Sequence, residues 1–511
     1  MRIDNIKLKI GESEGKLRKI AEEKLRGKCG YLRILRKSLD ARNKADIRWV
    51  YSIEAEKAPP QGRQDILPEA KHKEKRIVVV GSGPAGLFCT LRLLDHGFCP
   101  TLLERGGDVD ERAEKNERFF RSHVLDEETN VQFGEGGAGT FSDGKLNTQT
   151  HTPLNREVLE LFAKFGAPEE ILYLAKPHIG SDNLRDILKR MRAYILARGG
   201  AVRFHARFDG LRMREGQIYE ALAADGKTGQ RLAFPCDALV LAIGHSSRDT
   251  FAFLEQNGFA MEQREFAVGA RIEHLQEKIG AAQYSAWHTS LPPADYKLAS
   301  HAGERSAFTF CMCPGGFVMP SSSERGSVVT NGMSNYARDG KNANSALLVQ
   351  IRREDYDRGH VLDGAEFQSK IERAAFAMAG GCYAAPVQRV EDFFAGRASA
   401  RFGEVLPTYA AGTTMCDLNE LFPAIVADSM KAALRDMGRR LSGFDHPDAV
   451  LTAPETRFSS PVRILRGETL ESVTHGGIYP CGEGCGYAGG IMSSAADGLR
   501  VAEAIFEKYA D

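Results

Sequence analysis

The stretch RIVVVGSGPAGLFCTLRLLDHGFCPTLLERG, residues 76–106, decides the fold. Ile77 to Val80 are apolar and unbroken, the pattern of a parallel strand buried on both faces. Gly81, Gly83 and Gly86 follow in GxGxxG register. In such a unit the first glycine permits a tight turn, the second lets backbone approach a pyrophosphate, and the third lets helix pack on strand. Ser82 and Ala85 fill the intervening positions, and Pro84 sits where a missing helical N–H does no harm. Leu87, Leu91 and Leu94 give the helix an apolar face, and Gly97 stops it. Thr101 to Leu103 form a second strand, and Glu104 follows it at about the 20-residue distance at which an acid meets a ribose hydroxyl. The unit reads as a dinucleotide-binding turn.

C-terminal to this unit the βαβ rhythm stops. Asp108 to Arg121 is charged and helical in pattern. NVQFGEGGAGTFSDGKLNT, residues 130–148, repeats GxGxxG at Gly134, Gly136 and Gly139. Its lead-in is too short and polar for a buried strand, and no helix follows, so it reads as an irregular loop lying close to a flat or anionic ligand. Pro153 to Gly199 is mostly helical. Four short strands follow, at Ala201–His205, Phe208–Arg212, Gln217–Ala221 and Arg231–Phe234, and then an apolar strand from Ala238 to Ile243. Residues 266–454 change to a mixed α+β pattern with two long helical stretches, Gly364–Ala379 and Asp417–Leu441. Ile478 to Tyr509 returns to a strand, a glycine-rich turn and a long helix.

N-terminal to the unit, residues 1–58 read as a small β-α-β-β module with sixteen basic and nine acidic side chains, a net of +7. It lacks a stacking aromatic pair or a glycine-rich RNA loop, so it reads as a packing or interaction module rather than a nucleic-acid binder. Residues 59–75, with three prolines, read as a linker. The expected division is therefore a module at 1–58, a linker at 59–75, a nucleotide-binding domain at 76–265, a cap or substrate domain at 266–454, and a return to the nucleotide domain at 455–511.

Several stretches resemble a family of uncharacterised bacterial FAD-dependent dehydrogenases built on the glutathione-reductase-type fold. They are SLDARNKADIRWVY (38–51), NVQFGEGGAGTFSDGKL (130–146), CMCPGG (311–316), NGMSNYARDGKNANSALL (331–348), ETRFSSPVRI (455–464) and YPCGEGCGYAGGI (479–491). The resemblance implies an α/β, Rossmann-like FAD-binding domain with an inserted α+β cap domain and a small N-terminal α+β domain. It also implies a cofactor set. Gly81, Ser82, Gly83, Pro84, Ala85 and Gly86 take the FAD pyrophosphate, and Glu104, beside Arg105, takes the adenosine ribose. Gly136, Gly137, Ala138 and Thr140 run along the flavin. Phe208 meets adenine, and Ala242 and Gly244 lie near the AMP half. Gly482 and Glu483 hold the ribityl chain, although the family position usually carries Asp. Gly489, Gly490 and Ile491 open a helix toward the flavin. The implied activity is hydride transfer through flavin N5 to or from a small molecule, with NAD(P)H a possible diffusible reductant. The alternative is an FAD-binding protein whose N-terminal domain docks RNA or protein.

No catalytic set stands out in the residues. Lys145, Cys311, Arg457 and Arg463 are the weak candidates. Lys145 follows the flavin-side loop, Cys311 pairs with Cys313, and the two arginines sit where the chain re-enters the cofactor domain. Arg457 and Arg463 read equally as an anion clamp or as an interdomain ion-pair hinge. Cys311 and Cys313 would make a metal site only if Cys481 and Cys485 joined them, so no metal is expected. The chain has 511 residues, 42% hydrophobic and 27% charged, with 68 basic and 68 acidic side chains. No apolar run reaches the ~20 residues of a membrane span, no signal core opens the chain, and ten cysteines lack framework spacing. A cytoplasmic protein with a small-molecule substrate, and neither membrane nor nucleic acid as partner, is expected.

Overall fold

The computed structural model describes residues 1–59, 72–148 and 150–510; most of the expected linker lies outside them. The fold is mixed α/β. Its first sheet is parallel, with spatial order Ile478–Pro480, Ala238–Leu241, Ile77–Val80, Thr101–Leu103 and Ala201–Arg203. The registers Val78↔Thr101 and Ala238↔Ile77 bring the C-terminal ends of these strands to one edge. The helix Pro84–Asp95 follows the central strand and ends where Gly97 turns the chain at φ +85°. The C-terminal helix, Ile491–Lys508, packs across it. An ideal Cβ on Gly498 would stand 2.1 Å from the Ala85 carbonyl oxygen, which is how closely the two helices approach.

One grouping differs from the sequence expectation. Ala201–Arg203 does not join the other short strands but forms the edge of the parallel sheet. The separate three-stranded sheet consists of Ala206–Arg214, Gln217–Asp225 and Arg231–Pro235. Only Phe204 and His205, the latter at φ +55°, separate the two. Two residues between two strands leave no run of turn residues to mark the division.

A seven-stranded sheet fills the middle of the chain. Its two long central strands, Phe266–Leu275 and Asn342–Ile351, pair antiparallel over their full length. Helices Asp363–Met378 and Ala424–Arg440 pack against it. The stretch expected as one helix from Asp417 to Leu441 is two, because the chain is extended at Phe422–Pro423 between them. At the N-terminus, strands Arg2–Lys9, Tyr31–Asp40 and Arg48–Glu56 carry the helix Gly15–Leu25 over a core of Leu8, Leu17, Ala21, Tyr51 and Ile53. This unit docks by main chain: Lys37 donates to the Tyr173 carbonyl at 2.7 Å and accepts from the Ala175 N–H at 2.9 Å.

Candidate functional site

A cavity of about 1360 Å³ opens at the C-terminal edge of the parallel sheet, where the glycine-rich turns meet. Pockets for one small ligand run ~300–1,000 Å³, so this one has room for more than one group. One wall is the first turn, with Gly81, Gly83, Pro84 and Ala85. Gly81 sits at φ +97°. A Cβ on Gly86 would lie 1.9 Å from the Gly81 oxygen, so these two glycines are demanded by the protein itself. Gly83 is different. Its φ is −70°, and a Cβ there would meet nothing closer than Gly137 at 3.8 Å, an ordinary contact. Gly489 likewise has no atom within 4 Å of an ideal Cβ and no left-handed φ. Both face the cavity, and no feature of the protein requires glycine at either. A ligand passing against the main chain would.

The second wall is the irregular loop. Arg112, 0% exposed on the helix Val109–Ser122, holds it. The guanidinium donates to the carbonyls of Asn130, Val131, Glu135 and Gly137 and to Thr140 Oγ1. With no carboxylate bonded to it, burial pulls its pKa down to about 10. Nothing in the spacing of a helix with many charges marks this arginine as buried. It explains why an irregular glycine loop has one shape.

Of the residues the sequence assigned to FAD, most line the cavity: Glu104, Arg105, Gly137, Ala138, Phe208, Ala242, Gly244, Glu483, Gly490 and Ile491, besides those of the first turn and Gly489. Ser82, Gly86, Gly136, Thr140 and Gly482 lie behind the wall instead. Ser82 donates N–H and Oγ to Glu104 at 2.9 and 2.6 Å, while Gly86 packs on the strand. A Cβ on Gly136 would collide with Thr140 and Leu188, and Thr140 is bonded to Arg112. Gly482 donates to Asp497, which Arg466 clamps. These five shape the wall.

Glu104 also departs from the simple expectation. Its second oxygen accepts from the Gly106 and Gly134 N–H groups, each at 3.0 Å. With both Ser82 donors, all four carboxylate acceptor sites are occupied. The acid ties the first turn to the irregular loop, and a ribose hydroxyl would have to share an oxygen. Arg105 is paired with Glu128 and Asp249.

The cavity is also lined by ionisable groups. Glu483 lies beside the N-terminus of the C-terminal helix, accepting from Gly490 at 3.3 Å, and burial raises it to about 7. His245 Nδ1 is 3.6 Å from Glu483. Its Nε2 is buried with no partner, and burial lowers the ring to about 4, so it is neutral at physiological pH. Glu455 pairs with the fully buried Arg271 at 3.2 Å and is also raised by burial to about 7. Lys145, Cys311 and Asn331 line it too, with Phe310 edge-on to Phe458 at 4.5 Å.

The two candidate arginines separate. Arg457 binds Glu372 through Nε and Nη2 at 3.1 and 2.9 Å, and Glu324 at 3.0 Å. Arg248 grips Glu372 from the other side. This is the hinge arrangement. Arg463 also lines the cavity but is more exposed, with contacts of 3.2 Å to the Gly486 carbonyl and 3.4 Å to Glu262. Among the described residues no cluster of three or more possible metal ligands includes Cys311, Cys313, Cys481 or Cys485. Glu404, His446 and Asp448 do lie together, but Lys278 and Arg389 already pair with that cluster's carboxylates.

Residues 265–458 match the model of a family described as "FAD-dependent protein, C-terminal domain-like", and residues 1–56 match a domain of unknown function. An uncharacterized protein of Clostridium beijerinckii is 42% identical over 533 residues, covering 100% of this chain and 99% of that one. The chain belongs to the same family as that protein, a family of FAD-dependent proteins. Among solved structures, the glycerol-3-phosphate dehydrogenase of Bacillus halodurans complexed with FAD aligns over 87% of this chain and 67% of its own, at 11% identity and TM-score 0.36. Quinol fumarate reductase FrdA of E. coli aligns over 86% and 71%, at 10% identity and TM-score 0.37. At such scores these likenesses decide nothing about this chain. No described helix is long and apolar enough to cross a membrane.

Proposed function

We propose that the chain is an FAD-dependent oxidoreductase of the glutathione-reductase-type fold, acting in the cytoplasm on a small molecule that enters the same cavity as the cofactor. The observation that carries this reading is the pair Gly83 and Gly489, two glycines from opposite ends of the chain that face one cavity with no protein reason to be glycine. Bound there, FAD would supply a two-electron centre that takes or gives hydride at N5.

The residues around the cavity support that chemistry. The first turn offers main-chain N–H groups and a helix N-terminus to a pyrophosphate. The N-terminus of Ile491–Lys508 presents partial positive charge to the same cavity. Glu483, raised to about 7, holds a proton through much of the physiological range and is placed to lend it to a cavity ligand. His245 stays neutral beside it. Lys145 and Arg463 supply positive charge to a substrate, and NAD(P)H is a possible reductant through the same opening.

The test is direct. The purified protein should be yellow with non-covalent FAD, and the colour should bleach anaerobically with NADH, NADPH or one member of a metabolite panel and return with air. A colourless protein that added FAD does not reconstitute would refute the reading.

A further inference from the structure

Cys311 and Cys313 stand apart from the cofactor-binding turns. They end the strand Ala307–Cys313, whose pairing with Asn342–Ile351 slips register between Phe310 and Cys313. The slip holds Cys311 at φ +41°, a conformation that a non-glycine residue adopts only under constraint. On a regular strand, residues two apart sit roughly 6.6 Å apart. Here Cys313 Sγ turns back along the chain to lie 3.1 Å from the Cys311 carbonyl oxygen, which keeps the two cysteines side by side.

Charged groups of both signs surround the pair, with Glu455 on Arg271 and Asp143 opposing the cations. Arg271 is fully buried, donates to the Cys311 carbonyl at 3.0 Å and lies 3.7 Å from Cys313 Sγ. Lys145 adds charge from the irregular loop. Cys311 lines the cavity and Cys313 is buried behind it. The hydrogen bond from Cys313 and the two cations draw the Cys311 thiol below its usual value, while Cys313 is pushed up. Cys311 is the sulfur a solute in the cavity can reach, and Cys313, 0% exposed, stands behind it. Burial pushes Cys236 and Cys485 up to about 12, making them inert thiols.

We propose that Cys311 and Cys313 are an oxidisable dithiol in the cavity wall, with Cys311 the sulfur attacked by a hydroperoxide and Cys313 the sulfur that resolves it. The Cys311 thiolate attacks one oxygen of hydrogen peroxide. An S–O bond forms, the O–O bond breaks, and the departing hydroxide takes a proton from solvent. Cys313 then attacks the resulting sulfenic sulfur. An S–S bond forms, the S–O bond breaks, and the second hydroxide leaves with the Cys313 proton as water. Two sulfurs lose two electrons, and one peroxide becomes two waters. The proposal does not depend on the flavoenzyme reading, because both sulfurs and both cations belong to the chain itself.

The experiment uses the full-length protein, reduced and desalted, treated with a small excess of hydrogen peroxide, then denatured and mapped by mass spectrometry. The free-thiol count should fall by two from ten. The peptide carrying Cys311 and Cys313 should lose two hydrogens, reversibly with dithiothreitol. Cys313→Ser should stop at a Cys311 sulfenic acid that dimedone traps. In the untreated protein, iodoacetamide should alkylate Cys311 with a pH midpoint below the ~8.5 of an ordinary thiol, and Lys145→Gln should move that midpoint up. If this peptide stays reduced while other cysteines oxidise, or if Cys311→Ser leaves Cys313 oxidising at the same rate, the proposal is overturned. The peptide map and alkylation profile of the wild type decide the matter even if a variant fails to fold.

Discussion

Gly83 and Gly86 lie three residues apart in one motif, yet they answer to different constraints. Gly86 faces the Gly81 oxygen at a separation no Cβ tolerates. Gly86→Ala should therefore destabilise the fold by about 1–3 kcal/mol, the usual range for overpacking, read as a lower urea midpoint whether or not FAD is present. Gly83→Ala meets only an ordinary contact and should leave the midpoint of the cofactor-free protein unchanged while weakening FAD retention. Gly83→Val should abolish retention, and a yellow Gly83→Val protein would contradict the assignment. Glu483 makes a second prediction at this scale. Raised to about 7 by burial, it is protonated below that pH and charged above it. The rate of flavin reduction should show a titration near 7 that Glu483→Gln removes, with the rate on the acid side kept if the protonated form is the active one. The glycines and Glu483 were legible in the sequence because they sit in motifs of fixed spacing. Arg112 and Arg271 were not, because burial of a charged side chain is decided by packing from distant segments and leaves no local period.

At the scale of elements, the strand–turn–helix unit and the C-terminal helix follow the sequence closely, since each has its own apolar period and its own stop. The two residues dividing Ala201–Arg203 from the three-stranded sheet have no such mark, nor has the extended break at Phe422–Pro423 within a continuous helical pattern. The ion-pair cluster is also a property of elements. Glu372 on the helix Asp363–Met378 is buried between Arg248 and Arg457, which hold its carboxyl well below the usual carboxylate range. A depressed carboxyl contributes stability that is present above its unfolded value, about 4.3, and lost as pH falls from there toward the folded value. Removing one partner of a buried pair costs about 3–5 kcal/mol. Glu372→Gln should lower stability by that order at pH 7, and the gap from wild type should close as pH drops below about 4. Urea titrations at the two pH values check it. A gap that stays constant would show that packing alone holds the helix. Arg463→Ala, by contrast, should leave both stability and FAD content intact and raise the substrate KM.

At the scale of the whole molecule, the cavity is bounded by three regions of the chain. The nucleotide turns supply its floor, the long central sheet supplies Cys311 and Glu455, and Leu174 to Pro177 close one side where the N-terminal unit docks through Lys37. The basic module is thus attached to the cavity wall by main-chain hydrogen bonds, a placement its charge does not reveal. The sequence has no second strand–GxGxxG–helix unit. The two later matches fall in the irregular loop and in the C-terminal return, and the central sheet pairs its long strands antiparallel. A nicotinamide donor would therefore have no separate seat and would have to leave before the second substrate approaches. Steady-state kinetics should be ping-pong: double-reciprocal plots at several fixed NADH or NADPH concentrations should give parallel lines, and each substrate should inhibit competitively against the other at high concentration. Intersecting lines would require both ligands in the cavity at once. Its volume of about 1360 Å³ makes that a real alternative, so the kinetic pattern is a stringent test. Protein kept in dithiothreitol and desalted should take up two electrons per FAD. Peroxide-treated protein should take up four if the Cys311–Cys313 disulfide exchanges electrons with the flavin, and two if it does not.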